Sequence, residues 1–218
     1  MDVITHYDLL IEENNDPFRD PPTLRAYMDQ WDGEAFLQAL ELNPRKEVLE
    51  IGMGTGRLAV KVAPFCASLT GIDISPKTVE RAKENLENCS NISFICDDFL
   101  TYDFSKNYDV VYSSLTMMHF EDKTRVISKI VKLLKADGIF CLSISKDQNP
   151  YIDMGSRKLR IYPDTPEHIV SLAQKNSLDV AQFLETELAY IIVCKKRLQK
   201  LSLRLGKAVT LPFPQGRL

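Results

Sequence analysis

The residues best suited to chemistry lie in one run, Val48-Leu49-Glu50-Ile51-Gly52-Met53-Gly54-Thr55-Gly56-Arg57-Leu58. The short apolar run from Val48 to Ile51 reads as a buried strand, because apolar residues follow one another instead of alternating. It breaks into three glycines spaced two apart. From Leu58 to Phe65 the period turns helical, with Leu58, Val62 and Phe65 on one face. Strand, glycine turn and helix together make a ligand cradle. Glycine admits positive φ and lets a ligand come where a Cβ would collide, and free N–H groups at the helix start face the turn. The dinucleotide fingerprint is G-x-G-x-x-G. Here the spacing is Glu50-x-Gly52-x-Gly54-x-Gly56, with the third glycine one residue early and an acid two before the first. That acid would repel a pyrophosphate and suits a cationic ligand.

Three further clusters follow at the ends of predicted strands. Ser68 to Ser75 reads as a second strand that ends at Asp73-Ile74, with Ser75-Pro76 opening a helix as cap and first residue. An acid there can accept hydrogen bonds from two ribose hydroxyls, as in dinucleotide sites. The third strand, Ile92 to Ile95, runs into Cys96-Asp97-Asp98-Phe99. The fourth, Tyr108 to Ser114, runs into Leu115-Thr116-Met117-Met118-His119-Phe120.

The glycine run resembles motif I of the class I S-adenosylmethionine (AdoMet)-dependent methyltransferases, the alternative being a plain glycine turn in some other α/β protein. Across residues 45–196 the order and spacing of the other pieces resemble that family too. The resemblance implies a doubly wound, mostly parallel seven-stranded α/β sheet with a C-terminal antiparallel hairpin. It implies AdoMet as cofactor and S-adenosyl-L-homocysteine as product. The cofactor residues it implies are Glu50, Gly52, Gly54, Gly56, Asp73, Ile74, Asp98 (with Asp97 as alternate), Phe99, Ser114 and Leu115. Asp98 would take the adenine amino group, with Phe99 beside the ring. The segment near Ser113 to Leu115 resembles motif IV and would hold the methionine portion. The Asn-Pro-Pro-Tyr of nucleobase and glutamine-amide methylating members is absent, which lowers those substrates.

The remaining segments must position these groups. Residues 1–44 are apolar enough to pack on something, with a helical stretch from Leu24 to Leu40. They read either as a lid over the site or as a cover for one sheet face, and Tyr7 is a candidate acceptor contact. His119, just past the fourth strand, is the candidate general base, although a positioning role is the commoner fate of such a histidine. Glu121 to Lys135 reads as a helix, and Ala136-Asp137-Gly138 as a turn into a fifth strand, Ile139 to Ser145. The polar stretch from Lys146 to Pro166 is long enough to select a substrate. Tyr151 is its candidate contact, and its Arg and Lys residues suit an acidic acceptor or a solvated face. Leu178 to Glu185 and Leu188 to Lys195 read as a tight hairpin. Residues 197–218 form a basic extension with Leu198, Leu201 and Leu205 at helical spacing.

Composition narrows the classes. The 218 residues are 44% hydrophobic and 26% charged, ample for a single domain core. A net charge of −3 disfavours an obligatory nucleic-acid partner. No apolar run approaches membrane-spanning length, and no charged-then-apolar leader stands at the N-terminus. The five cysteines fit no metal spacing or disulfide framework and read as buried hydrophobes in a reducing cytoplasm. The expected function is methyl transfer from AdoMet to a small-molecule acceptor, without a metal and with the oligomeric state open. A protein or RNA methyltransferase, an NAD-linked oxidoreductase and an AdoMet-binding regulator stand as alternatives.

Overall fold

The structure, a computed structural model, describes residues 1–197; the basic extension expected beyond lies outside the described residues. A seven-stranded sheet has the order β3-β2-β1-β4-β5-β9-β8. Its strands are β1 (Glu47–Ile51), β2 (Ser68–Asp73), β3 (Ile92–Cys96), β4 (Tyr108–Ser114), β5 (Leu134–Ser145), β8 (Leu178–Glu185) and β9 (Ala189–Lys196). The first five run parallel, and β9 and β8 are antiparallel at the edge. This is the expected α/β sheet with its C-terminal hairpin.

Alternate residues along each central strand enter different cores, which is why the strands are apolar throughout. Leu49, Val111, Phe140, Leu142 and Ile192 bury on one face with Val126, Ile127 and Ile130 of α6 (Lys123–Leu133) and Ile169 of α7 (Pro166–Lys175). Val48, Val110, Tyr112, Cys141 and Val193 bury on the other. There they meet Phe36 of α3 (Glu34–Ala39), Val62 of α4 (Ala59–Val62) and Ala82 of α5 (Pro76–Asn85). Each large apolar side chain so buried contributes roughly 1.5–3 kcal/mol.

Local differences from the sequence reading have identifiable causes. The N-terminal region forms α1 (Val3–Glu12), capped by Asp2, whose side chain accepts the Thr5 N–H. The stretch from Leu24 to Leu40 is two helices, α2 (Pro22–Asp32) and α3, parted at Gly33. The helix after the glycine run is a single turn, α4, followed by a 3-10 turn over Ala63–Phe65. Phe65 there is 60% exposed rather than on the buried face. The turn at Ala136-Asp137-Gly138 is a bulge inside β5, where Tyr108 pairs with Leu134 and Val110 with Ile139. Cys66, Cys141 and Cys194 are buried, but Cys89 is half-buried and Cys96 exposed. The polar stretch after β5 carries its own hairpin, β6 (Tyr151–Asp153) and β7 (Lys158–Arg160).

Candidate cofactor and acceptor site

Strand order reverses between β1 and β4, and in sheets of this kind ligands bind beyond the carboxyl ends of the strands at that point. A cavity of about 380 Å³ opens there, within the range of small-ligand pockets.

The three glycines have three different jobs. Gly52 has φ +72° and its missing Cβ would overlap Thr116. Gly56 has φ +94°, and a Cβ there would lie 2.6 Å from Leu86 Cδ1. It does not line the cavity. Gly54, at φ +56°, is the one whose Cβ would meet nothing within 4 Å, and it lines the cavity. Only Gly54 therefore keeps space open for an occupant. Because α4 is a single turn, its dipole adds little there.

Asp73 holds the loop. Its Oδ2 accepts the Gly54 N–H at 3.0 Å and its Oδ1 accepts the Ser75 N–H at 3.0 Å. Burial raises its carboxyl, and these amides oppose the shift. Ile74, Asp97, Asp98 and Phe99 line the same wall. Asp98 Oδ1 accepts the Leu100 N–H at 2.7 Å, which turns the chain after β3. Phe99 is fixed edge-on against Phe120.

Glu50, 3% exposed, lines the cavity, and its Oε2 accepts the Tyr112 O–H at 2.7 Å. Burial pushes its carboxyl up to about 8. At neutral pH it is therefore mostly protonated, so its attraction for a cation acts only once a cation favours ionisation. The linkage has a definite sign: a carboxyl bound more tightly to its proton in the folded state stabilises at low pH. That contribution fades as pH rises from about 4.5 through 8. Glu50→Gln retains a neutral partner for Tyr112 and removes the titration. Urea unfolding at pH 5.5 and 8.5 should show wild type losing stability relative to the variant at the higher pH. Parallel pH dependence would contradict this assignment.

The opposite wall follows β4. Ser114, Leu115, Thr116, Met118 and His119 line it. Leu115 has φ +54°, a left-handed conformation that costs a non-glycine residue roughly 1–2 kcal/mol. From α1, Tyr7 reaches His119, its hydroxyl 2.8 Å from Nε2. Burial raises the Tyr7 hydroxyl and, with the charges of His6 and Lys123, lowers His119 to about 4. Both are neutral near pH 7, so the hydroxyl and Nε2 share one hydrogen bond, and the ring's other nitrogen is Nδ1. That Nδ1 is buried without a hydrogen-bond partner among the described residues. Asp8 of α1 accepts the Ser75 hydroxyl at 2.6 Å, and Glu13 takes Arg157 in a two-pronged pair at 2.5 and 2.6 Å. The N-terminal helix is thus fastened to the start of α5 and, just past its end, to the turn between β6 and β7.

One group of site residues has no signature in the sequence. Asp32, at the end of α2 and fully buried, accepts from both Arg57 and Ser114. Arg57 lines the cavity, and its buried Nη1 stands 3.6 Å from Asp29 Oδ1 with no hydrogen-bond partner among the described residues. Asp32 and Arg57 lie on different elements, so spacing gives no sign of the pair. Tyr151 is not in this cavity. It lines a second one, of about 390 Å³, which shares Leu115 and Met118 with the first.

Residues 48–138, less than half of the chain, match the family model described as a methyltransferase domain, and the seven-stranded sheet shares the fold of solved methyltransferases. Malonyl-[acyl-carrier protein] O-methyltransferase of Acetivibrio thermocellus is 34% identical over 106 residues, 48% of this chain and 37% of that protein. The chain thus spans little more than a third of the length of that curated relative. The N-methyltransferase NodS from Bradyrhizobium japonicum WM9, solved with S-adenosyl-L-homocysteine, superposes with TM-score 0.65 at 20% identity. That superposition covers 82% of this chain and 90% of NodS. The [4+2]-cyclase SpnF superposes with TM-score 0.72 at 17% identity, covering 89% and 95%. Among the described residues no helix is long and apolar enough to cross a membrane.

Proposed function

We propose that this chain transfers a methyl group from AdoMet to a small-molecule acceptor. The observation that carries the reading is one cavity where Gly54, Asp73, Asp98 with Phe99, and Arg57 converge beyond the ends of β1 to β4. The open space at Gly54 and Arg57 Nη1, which has no hydrogen-bond partner among the described residues, fit such a cofactor. Asp73 would take the ribose hydroxyls, Asp98 or Asp97 the adenine amino group with Phe99 against the ring, and Arg57 the carboxylate of the methionine portion. Ser114 and Leu115 would border that portion. Glu50 and Gly52 line the same cavity. Bound AdoMet supplies a methyl group already activated on a sulfonium, so the chain's task is alignment and exclusion of water.

Residues 1–44 act as a lid in this reading, since Val3, Tyr7, Pro17 and Met28 all line the cavity. A ring with a pKa near 4 and an occupied Nε2 is a weak base. His119 and Tyr7 therefore position the acceptor. Tyr7→Phe should slow label transfer about tenfold, the worth of one buried hydrogen bond, while S-adenosyl-L-homocysteine affinity stays within about threefold. An unchanged rate would remove Tyr7 from the acceptor side.

The names of relatives include both O- and N-methyltransferases, so the acceptor atom follows from the chain itself or from experiment. Incubation with methyl-labelled AdoMet and a metabolite extract tests the function. Label in the small-molecule fraction supports it. Label held in the macromolecular fraction points to a protein or RNA acceptor. Binding of AdoMet without transfer favours a regulator, or other chemistry on this fold, as in the cyclase neighbour.

A further inference from the structure

The second cavity lies beyond the carboxyl end of β5, under the β6–β7 hairpin. Its apolar wall is built from Met117, Ile144, Ile152 and Ile161, and the aromatic side chains Trp31 and Tyr151 line it as well. The charged residues lining it are Asp147, Asp153 and Asp164, and none is basic. Asp153 is matched by Lys158 at 2.8 Å, and the buried Asp164 by Lys123 at 3.3 Å. Asp147 has no basic partner among the described residues; its Oδ1 accepts only the Asn149 N–H, at 2.9 Å. One negative charge is left uncompensated.

The basic residues of the same segment are engaged elsewhere. Lys146 pairs with Glu185 at 2.7 Å, Arg157 with Glu13, and Arg160 lies over the Tyr162 ring. The Arg and Lys residues that suit an acidic acceptor in the sequence thus do not line the cavity. A small cavity combining apolar walls, aromatic rings and one free carboxylate matches a compact organic cation.

We propose that this second cavity anchors an ammonium group of the acceptor, while the atom to be methylated reaches the first cavity past Leu115 and Met118. The proposal rests on the methyltransferase reading and names its substrate class: small amine-bearing molecules with an apolar body.

The test uses three probes that differ only in the terminal group: 2-phenylethylamine, 2-phenylethanol and phenylacetate. Each is titrated into protein saturated with S-adenosyl-L-homocysteine, followed by calorimetry at pH 7.5. The amine should bind at least about tenfold more tightly than the other two. Asp147→Lys, at an exposed position, should invert the preference towards phenylacetate and leave S-adenosyl-L-homocysteine affinity unchanged. Asp147→Asn should weaken the amine roughly fivefold, the scale of a partly solvated charge pair. Equal or tighter binding of phenylacetate, binding of none of the three, or an amine preference untouched in Asp147→Lys would overturn the proposal. Should S-adenosyl-L-homocysteine itself fail to bind, the methyltransferase reading fails on its own. The probe preference is then read on the protein alone, with the same outcomes deciding.

Discussion

Gly54→Val should lower affinity for S-adenosyl-L-homocysteine by 100-fold or more while the protein still folds. The added Cβ would meet no protein atom within 4 Å, so the Cβ itself makes no collision in the folded chain. The chain suffers the backbone cost of a branched residue at φ +56°, roughly 1–2 kcal/mol, which a domain of this size survives. The side chain instead fills space that the cavity needs. Gly52 and Gly56 make the contrast. A Cβ at Gly52 would overlap Thr116, and one at Gly56 would press on Leu86. Their alanine variants should therefore lose stability first and binding only as a consequence. Thermal unfolding and calorimetry on the same three variants separate the effects. A folded Gly54→Val variant that binds normally would mean that the cofactor does not use this loop.

Asp32→Ala should destabilise the protein by about 3–5 kcal/mol, the usual loss when one partner of a buried ion pair is removed. Asp32 is fully buried and receives Arg57 and the Ser114 hydroxyl. Its removal strands a guanidinium that is only 13% exposed and leaves Arg57 with Asp29 alone, at 3.6 Å. It also releases α2 from the end of β4. The double variant Asp32→Ala, Arg57→Met should recover part of the loss, because no unpaired charge then stays buried. Urea unfolding of wild type, both single variants and the double variant gives the coupling directly. Additive effects would show that the two side chains do not depend on each other.

The parts that could be read from the sequence are those whose signal is local. Glu50 to Gly56 declares itself by spacing, Ser75-Pro76 by capping chemistry, and the sheet by unbroken apolar strands. Each is decided within about ten residues of chain. What escaped depends on partners far apart in sequence. Tyr7 meets His119 across 112 positions, and Asp32 meets Arg57 across 25. The charge state of Glu50 follows from burial against Tyr112 on a neighbouring strand, which no spacing reports. Gly33 could have been read as a break, but the apolar period continues through it and suggests one helix. Leu115 is in a left-handed conformation that leucine rarely adopts, so its type gave no warning. The role of the polar stretch after β5 was open because charge type was visible and charge pairing was not. Once Arg157 and Lys158 are matched to Glu13 and Asp153, the carboxylate of Asp147 remains to face the second cavity.

The claim on which the rest depends is the cofactor. Calorimetric titration of the full chain with S-adenosyl-L-homocysteine, beside NADH in the same buffer, tests it most directly. The site described here predicts micromolar binding of S-adenosyl-L-homocysteine, lost in Gly54→Val, and no heat from NADH. Binding of NADH alone would contradict it and return the glycine loop to the dinucleotide class.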